Sequence, residues 1–401
     1  MKTLVDIVNV NGEASCLSSK QWLSILKGGN NSAFFQWLKI YVEYKKKVTL
    51  GLTGSTIVDM VCLNPESIRL INQHPEIFEI ILRPFSHDIA LLRTIGGFDT
   101  NLYIGEKVIR REFKNITKFF LPPEFMLTNE QIVVLKQRGM EGVFVNSQRF
   151  SKEVRDRIPN LPYEVKGVQK ATLGCIPVEG SLTPEYLYSL HNYTTASWNK
   201  RIDALKTSSA FSWRDGESPF LIPDGVSREE FWIKNESQRI KRMHLRDLKL
   251  TYVSQDKLSD SAYKSYPVHS FSAWMEGFRM IGFLRRTQAI EDNLKRLTPQ
   301  QLILWLSTIG SDILSAVEKK SPSIRLKLHA NKKKYLHYVI QRSERGFEGE
   351  EFLHLLEGSL NGSGFPKAIL KFQEPHFIKL KNRFQYLLPL IKERPLTKNP
   401  V

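Results

Sequence analysis

With 401 residues, 41% of them hydrophobic, the chain is long enough for one large domain with an appendage, or for two or three smaller domains, and apolar enough to bury a sizeable core. Its net charge of +17 favours polyanionic partners such as nucleic acid, acidic glycans or an anionic membrane surface. The three cysteines, Cys16, Cys62 and Cys175, are odd in number and lack metal-ligand spacing, which points to a reducing compartment and away from a zinc finger.

No apolar stretch approaches the length of a membrane span. The first residues carry Asp6 inside their short apolar run and no small-residue cleavage site, so no signal peptide is read and a cytoplasmic location is expected. The charge is uneven: Lys319 to Val401 holds 17 Lys and Arg against 7 Asp and Glu, about +10 of the total. That basic stretch is expected to offer a polyanion site.

In chain order, Leu4 to Val10 reads as an opening strand, followed by helices around Ser19 to Leu26 and Ser32 to Tyr44. Val48 to Leu52 is a compact β run, Thr56 to Cys62 suits a helix, and Asn64-Pro65-Glu66 opens another. Phe78 to Leu82 is the next strand, with helical patterns at Ile89 to Arg93 and Lys107 to Phe113. Ile116 to Leu121 is an apolar run ended by Pro122 and Pro123, which cannot continue a ladder, so Glu124 is placed at the tip of a buried strand. Thr128 reads as the cap of a helix closed by Gly139, and Gly142 to Val145 as a further strand. This alternation every 30 to 40 residues predicts βα units and a parallel sheet or barrel. Two β-like runs follow within Tyr163 to Cys175, then a helix at Ser181 to Leu190 and a strand at Ser208 to Trp213. From Arg228 onward the pattern is helical. The expected division is a βα barrel over 1–235 and a helical, basic region over 236–401.

Three apolar strands end in ionisable clusters: Glu79 to Asp88, Pro122 to Glu124, and Arg214 to Glu217. In a parallel sheet all three exits fall on one rim, where α/β folds bind ligands. Two carboxylates there, Glu124 and Asp215, suit nucleophilic and acid/base work on a glycosidic bond, with Glu217 competing for the second role. Trp213 offers an apolar face to a sugar ring. Arg83 and Arg214 can keep the acids ionised or grip an anionic group. His87-Asp88 is the His-Asp pair near these acids; His191, His244 and His269 are far off in sequence, so no metal is expected. No glycine-rich phosphate loop and no nucleophile elbow is present.

The segment Phe78-Glu79-Ile80 with Pro84-Phe85-Ser86-His87-Asp88-Ile89-Ala90-Leu91-Leu92 resembles the second motif of glycoside hydrolase family fifty-seven. Phe120-Leu121-Pro122-Pro123-Glu124 is similar to that family's nucleophile motif, and Trp213-Arg214-Asp215-Gly216-Glu217 to the motif carrying its acid/base Asp. Ser311-Asp312 resembles its later substrate-facing Ser-Asp. The resemblance spans roughly residues 1–320. It implies an α/β fold, a distorted (β/α)7 barrel with a helical C-terminal region, and retaining hydrolysis or transglycosylation on α-glucan-type or related polysaccharide without a cofactor. Glu124 then matches the nucleophile and Asp215 the acid/base. Glu79, Arg83, His87, Asp88, Trp213, Arg214 and Glu217 are expected on the substrate side. The family's opening His-Gln-Pro is absent, since the corresponding stretch reads Val8-Asn9-Val10-Asn11-Gly12. Two alternatives stand beside this reading. A metal-dependent polysaccharide deacetylase would need an early Asp-Asp and a His-x-x-x-His pair, and neither is present. A non-catalytic polyanion- or glycan-binding protein on the same barrel fits the missing signature and the basic C-terminal part.

Overall fold

The structure, a computed structural model, describes residues 2–14, 17–146, 163–166, 172–178, 195–204, 209–221, 224–247, 253–255, 277–317, 332–363, 365, 369 and 371–392. The helix expected at Ser181 to Leu190 lies outside the described residues. The strands are β1 (Lys2–Val10), β2 (Val48–Leu52), β3 (Phe78–Leu82), β4 (Ile116–Phe120), β5 (Gly142–Asn146), β6 (Tyr163–Lys166), β7 (Thr172–Val178), β8 (Ser209–Asp215), β9 (Ile240–Arg242) and β10 (Val253–Gln255). They form one sheet in the order β10-β6-β7-β5-β4-β3-β2-β1-β8, with β9 also paired to β1. From β8 to β7 along that order the neighbours are all parallel, and β6 alone is antiparallel to β7. This curved parallel sheet of seven strands, surrounded by helices, is the parallel sheet or barrel that the alternation of β and α patterns predicts, and it matches the distorted (β/α)7 barrel that the resemblance implies.

Period-two alternation sorts each strand between two cores. Leu4, Val8 and Val10 of β1 and Phe78, Ile80 and Leu82 of β3 face outward, into the layer shared with the helices. Val5 and Ile7 face inward with Ile81, Phe119, Phe144, Ile176 and Phe211, filling the barrel. Phe144 of β5 meets Phe211 of β8 edge to face, ring centroids 6.1 Å apart, across that interior.

The expected boundary falls at residue 235. β9 and β10 lie beyond it and belong to the sheet. The helical pattern read over Arg228 to His244 is a helix at Gly225–Lys234 followed by β9. The C-terminal helices Pro299–Thr308, Lys332–Leu360 and Pro375–Lys392 share one continuous core with Trp22, Leu26 and Ile57 of the barrel's own helices. Three of the cations in the basic C-terminal stretch, Arg345, Lys379 and Arg383, are buried within the fold rather than displayed. Among the described residues no helix is long and apolar enough to cross a membrane.

The helix Ile95–Glu112 runs longer than Lys107 to Phe113 because glycines hide its first half. Gly105 is required there by close approach: a Cβ would lie 2.5 Å from the Arg83 carbonyl oxygen and from the Phe85 backbone nitrogen. The helix thus presses on the turn that leaves β3. Gly105→Ala is expected to cost about 1–3 kcal/mol, since backbone on both sides must move. Urea denaturation measures it, and an unchanged midpoint would show that the contact has slack.

Candidate active site

The C-terminal ends of the barrel strands carry the ionisable residues. Arg83 follows β3 directly and continues the inward face of Glu79 and Ile81. Its stem lies over Gly51 of β2, where a Cβ would come within 3.5 Å of its Cδ and 2.9 Å of a Leu121 methyl. Glu124 stands in a short turn after Pro122 and Pro123, and it and Phe125 both take left-handed backbone, with φ of 55° and 54°. For residues with a Cβ, such a conformation costs on the order of 1–3 kcal/mol each and persists only where the surroundings enforce it. Here the Phe125 ring packs edge to face on Trp213 with centroids 5.2 Å apart, tying the Glu124 turn to β8. Asp215 closes β8 and pairs across the ladder with Asn9 of β1. Gly216 then donates its N–H to the Asn9 carbonyl at 2.6 Å. Glu124 and Asp215 are half-buried, and Glu217 is 2% exposed.

Arg83 links these acids. It is 1% exposed, and Nη1 donates to the Leu121 carbonyl at 3.1 Å. Its Nε and Nη2 have no hydrogen-bond partner among the described residues. Burial pulls the guanidinium down to about 9, against the opposing charges of Glu217, Glu124 and Asp215. Glu217 moves the other way. Burial, and then the neighbouring Asp215 charge, push its carboxyl well above the ordinary range, while the N–H it accepts from Asn11 works against them. Asn11 also donates from Nδ2 to Asp312 Oδ2 at 3.0 Å. His87 Nδ1 lies 3.5 Å from the same Oδ2 and 3.3 Å from the Ser311 hydroxyl. Burial lowers the His87 pKa and Asp312 opposes that shift. A chain of polar contacts therefore runs from Glu217 through Asn11 and Asp312 to His87, and its Asp312 comes from the C-terminal helix Ser311–Val317.

Three expected substrate-side residues are engaged elsewhere. Glu79 is inward-facing but four residues earlier than Arg83, about 13 Å lower at the usual rise per residue. It accepts from Thr49 Oγ1 at 3.0 Å and from the backbone N–H groups of Leu245 and Arg246 at 2.8 and 3.2 Å, closing the far end of the barrel. Asp88 is buried against Arg93 at 2.8 Å, and Arg93 is shared with Glu291 at 2.8 Å. Burial lifts Asp88 to about 7 although Arg93 pulls it down, because that arginine serves two carboxylates. Arg214 points to the outer face, as alternation with Asp215 demands, and pairs with Asp6 and with Glu229 at 3.4 and 2.8 Å. Trp213, on the inner face and half-buried, stays beside the acids. Among the described residues no group of three or more His, Cys, Asp or Glu is arranged to hold a metal ion.

No family model matches the sequence, and no curated protein does. Solved structures do match. A family fifty-seven branching enzyme from the archaeon Thermococcus kodakaraensis superposes with a TM-score of 0.60 at 9% identity, over 100% of this chain and 97% of that one. The chain has the fold of glycoside hydrolase family fifty-seven. An exo-type maltose-forming amylase from a Pyrococcus species gives 0.54 at 10% identity, over 98% of this chain and 80% of that one. A 4-alpha-glucanotransferase from Thermococcus litoralis gives 0.53 at 14% identity, over 85% of this chain but 53% of its own, so the chain spans about half of that protein.

Within this family fifty-seven fold, the residue that sequence reasoning passed over is Asn11. The absent His-Gln-Pro directs attention to a histidine at the end of β1 and away from the polar positions that alternate through Val8-Asn9-Val10-Asn11. Their period was the available signal: Asn9 and Asn11 share the inward phase of Val5 and Ile7.

Proposed function

We propose that the chain is a retaining glycoside hydrolase or transglycosylase acting on α-glucan-type polysaccharide, with Glu124 as nucleophile and Asp215 as acid/base. The observation that carries this is the buried Arg83 among three carboxyls, Glu217, Glu124 and Asp215, at one barrel rim. The names of the three structural neighbours, a branching enzyme, a maltose-forming amylase and a glucanotransferase, support the substrate class.

In this mechanism the Glu124 carboxylate attacks the anomeric carbon as Asp215 gives a proton to the departing oxygen. Water, or a sugar hydroxyl in transfer, then displaces Glu124 while Asp215 takes a proton from the incoming oxygen. Arg83 supplies the positive charge that favours an ionised nucleophile. Glu217, whose carboxyl burial and the neighbouring Asp215 charge push up, stands beside the acid/base residue and competes with it for a proton. The Trp213 ring forms an apolar wall, and His87 with Asp312 presents donor and acceptor groups to sugar hydroxyls.

The test is a panel of glycans with product analysis, run beside Asp215→Asn. That variant is expected to lose roughly 10²–10⁴-fold in turnover of maltooligosaccharides, whose leaving oxygen needs a proton, and far less on α-maltosyl fluoride, which needs none. Equal losses on both would make Asp215 structural and move the acid role to Glu217.

A further inference from the structure

The turn after β1 is held from two sides. On the inside, Asn11 gives its N–H to Glu217 and its side-chain amide to Asp312. On the outside, the next two residues meet a buried group of cations from the C-terminal helices. The Glu13 carboxylate accepts from Arg383 and, at 3.2 Å, from the Ser55 hydroxyl. The Gly12 carbonyl accepts from Arg345 Nη2 and from Lys379 Nζ, both at 3.1 Å. The Gly12 N–H donates to Thr56 Oγ1 at 2.9 Å, and the Glu13 N–H to Asn11 Oδ1 at 3.0 Å.

This is more charge than a surface turn needs to keep its shape. Burying cations is costly unless their partners are close and well oriented, and removing one partner strands the others. Around Glu13 the charges facing it are Arg383, Lys379 and Arg345, with Asp59 as a second buried acid and Glu348 pairing Arg345 at 3.0 Å. Burial pushes the Glu13 carboxyl up, and the three cations outweigh it, so the group ends below its ordinary value and stays charged. Two residues away, the same backbone places the Asn11 N–H on a carboxyl 2% exposed. A charge-locked anchor and a site contact on one three-residue turn cannot move independently.

We infer that Glu13 is a positioning residue: gripped by Arg383 of the helix Pro375–Lys392, it fixes the Asn11–Glu13 turn, so that the C-terminal helical layer sets the place of Asn11 against Glu217 and Asp312. The kinetic part of the test rests on the proposed glycosidase reading. A misplacement near 1 Å at such a site costs about 10²-fold in rate.

The decisive variant is Glu13→Gln in the full chain, which keeps the shape and removes the charge. On maltoheptaose, kcat is expected to fall by about 10–100-fold with KM changed by less than about threefold. Its pH profile is expected to shift, because a loosened Asn11 N–H no longer stabilises the charged form of Glu217 beside the acid/base residue Asp215. Arg383→Lys, which retains the cation opposite Glu13, should lose less than Glu13→Gln. Hydrogen exchange gives a reading that needs no turnover: the Asn11 amide should lose at least tenfold in protection while β3 and β4 keep theirs. If Glu13→Gln does not fold, Thr56→Val, which removes the Gly12 N–H acceptor together with a contact to the Thr53 hydroxyl, is read in the same ways. A folded variant with wild-type kcat, pH profile and Asn11 protection overturns the inference. A wild type inactive on every glycan would refute the glycosidase reading instead, and the exchange result would still decide the clamp.

Discussion

Glu124→Gln is expected to lower kcat by roughly 10³–10⁵-fold, the loss typical when a group that acts only in the transition state is removed. The melting temperature should stay close to that of the wild type. Both expectations follow from the turn. Glu124 is half-buried and held in left-handed backbone by the prolines before it and by Phe125 on Trp213. Gln has the same shape and a similar backbone preference, so the strained turn survives and only the carboxylate oxygen proposed as nucleophile is lost. Steady-state kinetics on maltoheptaose beside a calorimetric scan separates the two effects. A variant that keeps more than a tenth of wild-type kcat would remove Glu124 from the chemistry.

Arg214→Met is expected to do the reverse, destabilising the fold by about 3–5 kcal/mol by leaving buried charges unpaired. Arg214 lies one residue from Asp215 but on the opposite face of β8. There it meets Asp6, Glu229 and the Tyr41 hydroxyl, with Arg242 completing the group through its own ion pair to Asp6 at 2.6 Å. Burial pushes the Asp6 carboxyl up, but Arg214, Arg242 and the Ser212 hydroxyl outweigh it, and the group ends below its ordinary value. A carboxyl lowered on folding stabilises the protein above its unfolded pKa, and that contribution is lost as the pH falls through the folded value. Without Arg214 the Asp6 pKa rises, so acid unfolding should begin nearer neutral pH in the variant. Urea titrations between pH 4 and pH 7 measure this. An equal midpoint in variant and wild type across that range would mean that the Arg214 ion pairs contribute nothing net.

These two substitutions also mark what the sequence made legible. The alternation of β and α patterns carried the barrel, because parallel strands buried on both faces read as short apolar runs. The motifs around Glu124 and Asp215 carried the strand exits, because two prolines and a Gly216 leave unmistakable ends. What failed was the assignment of faces near those ends. Arg214 beside Asp215, and Glu79 four residues before Arg83, look like site residues until strand phase and height are counted. Asp88 beside His87 turns out to pair with Arg93, which it shares with Glu291, and Glu291 lies about two hundred residues away in sequence. No local pattern contains that partner. The same holds for the basic C-terminal part, where Arg345, Lys379 and Arg383 belong to the stretch expected to offer a polyanion site and are buried against Gly12 and Glu13. Long-range pairing of charge is invisible to composition, and here it joins the C-terminal helices to the rim.

The most direct test of the paired-carboxylate mechanism is the anomeric form of the first product. Wild-type protein is mixed with maltoheptaose in D₂O, and the anomeric proton signals are followed by NMR before mutarotation mixes them. Attack by Glu124 and then by water gives two inversions, so the α-anomer should appear first and the β-anomer only as mutarotation proceeds. Initial release of the β-anomer would contradict a covalent intermediate on Glu124 and make the two acids an inverting pair.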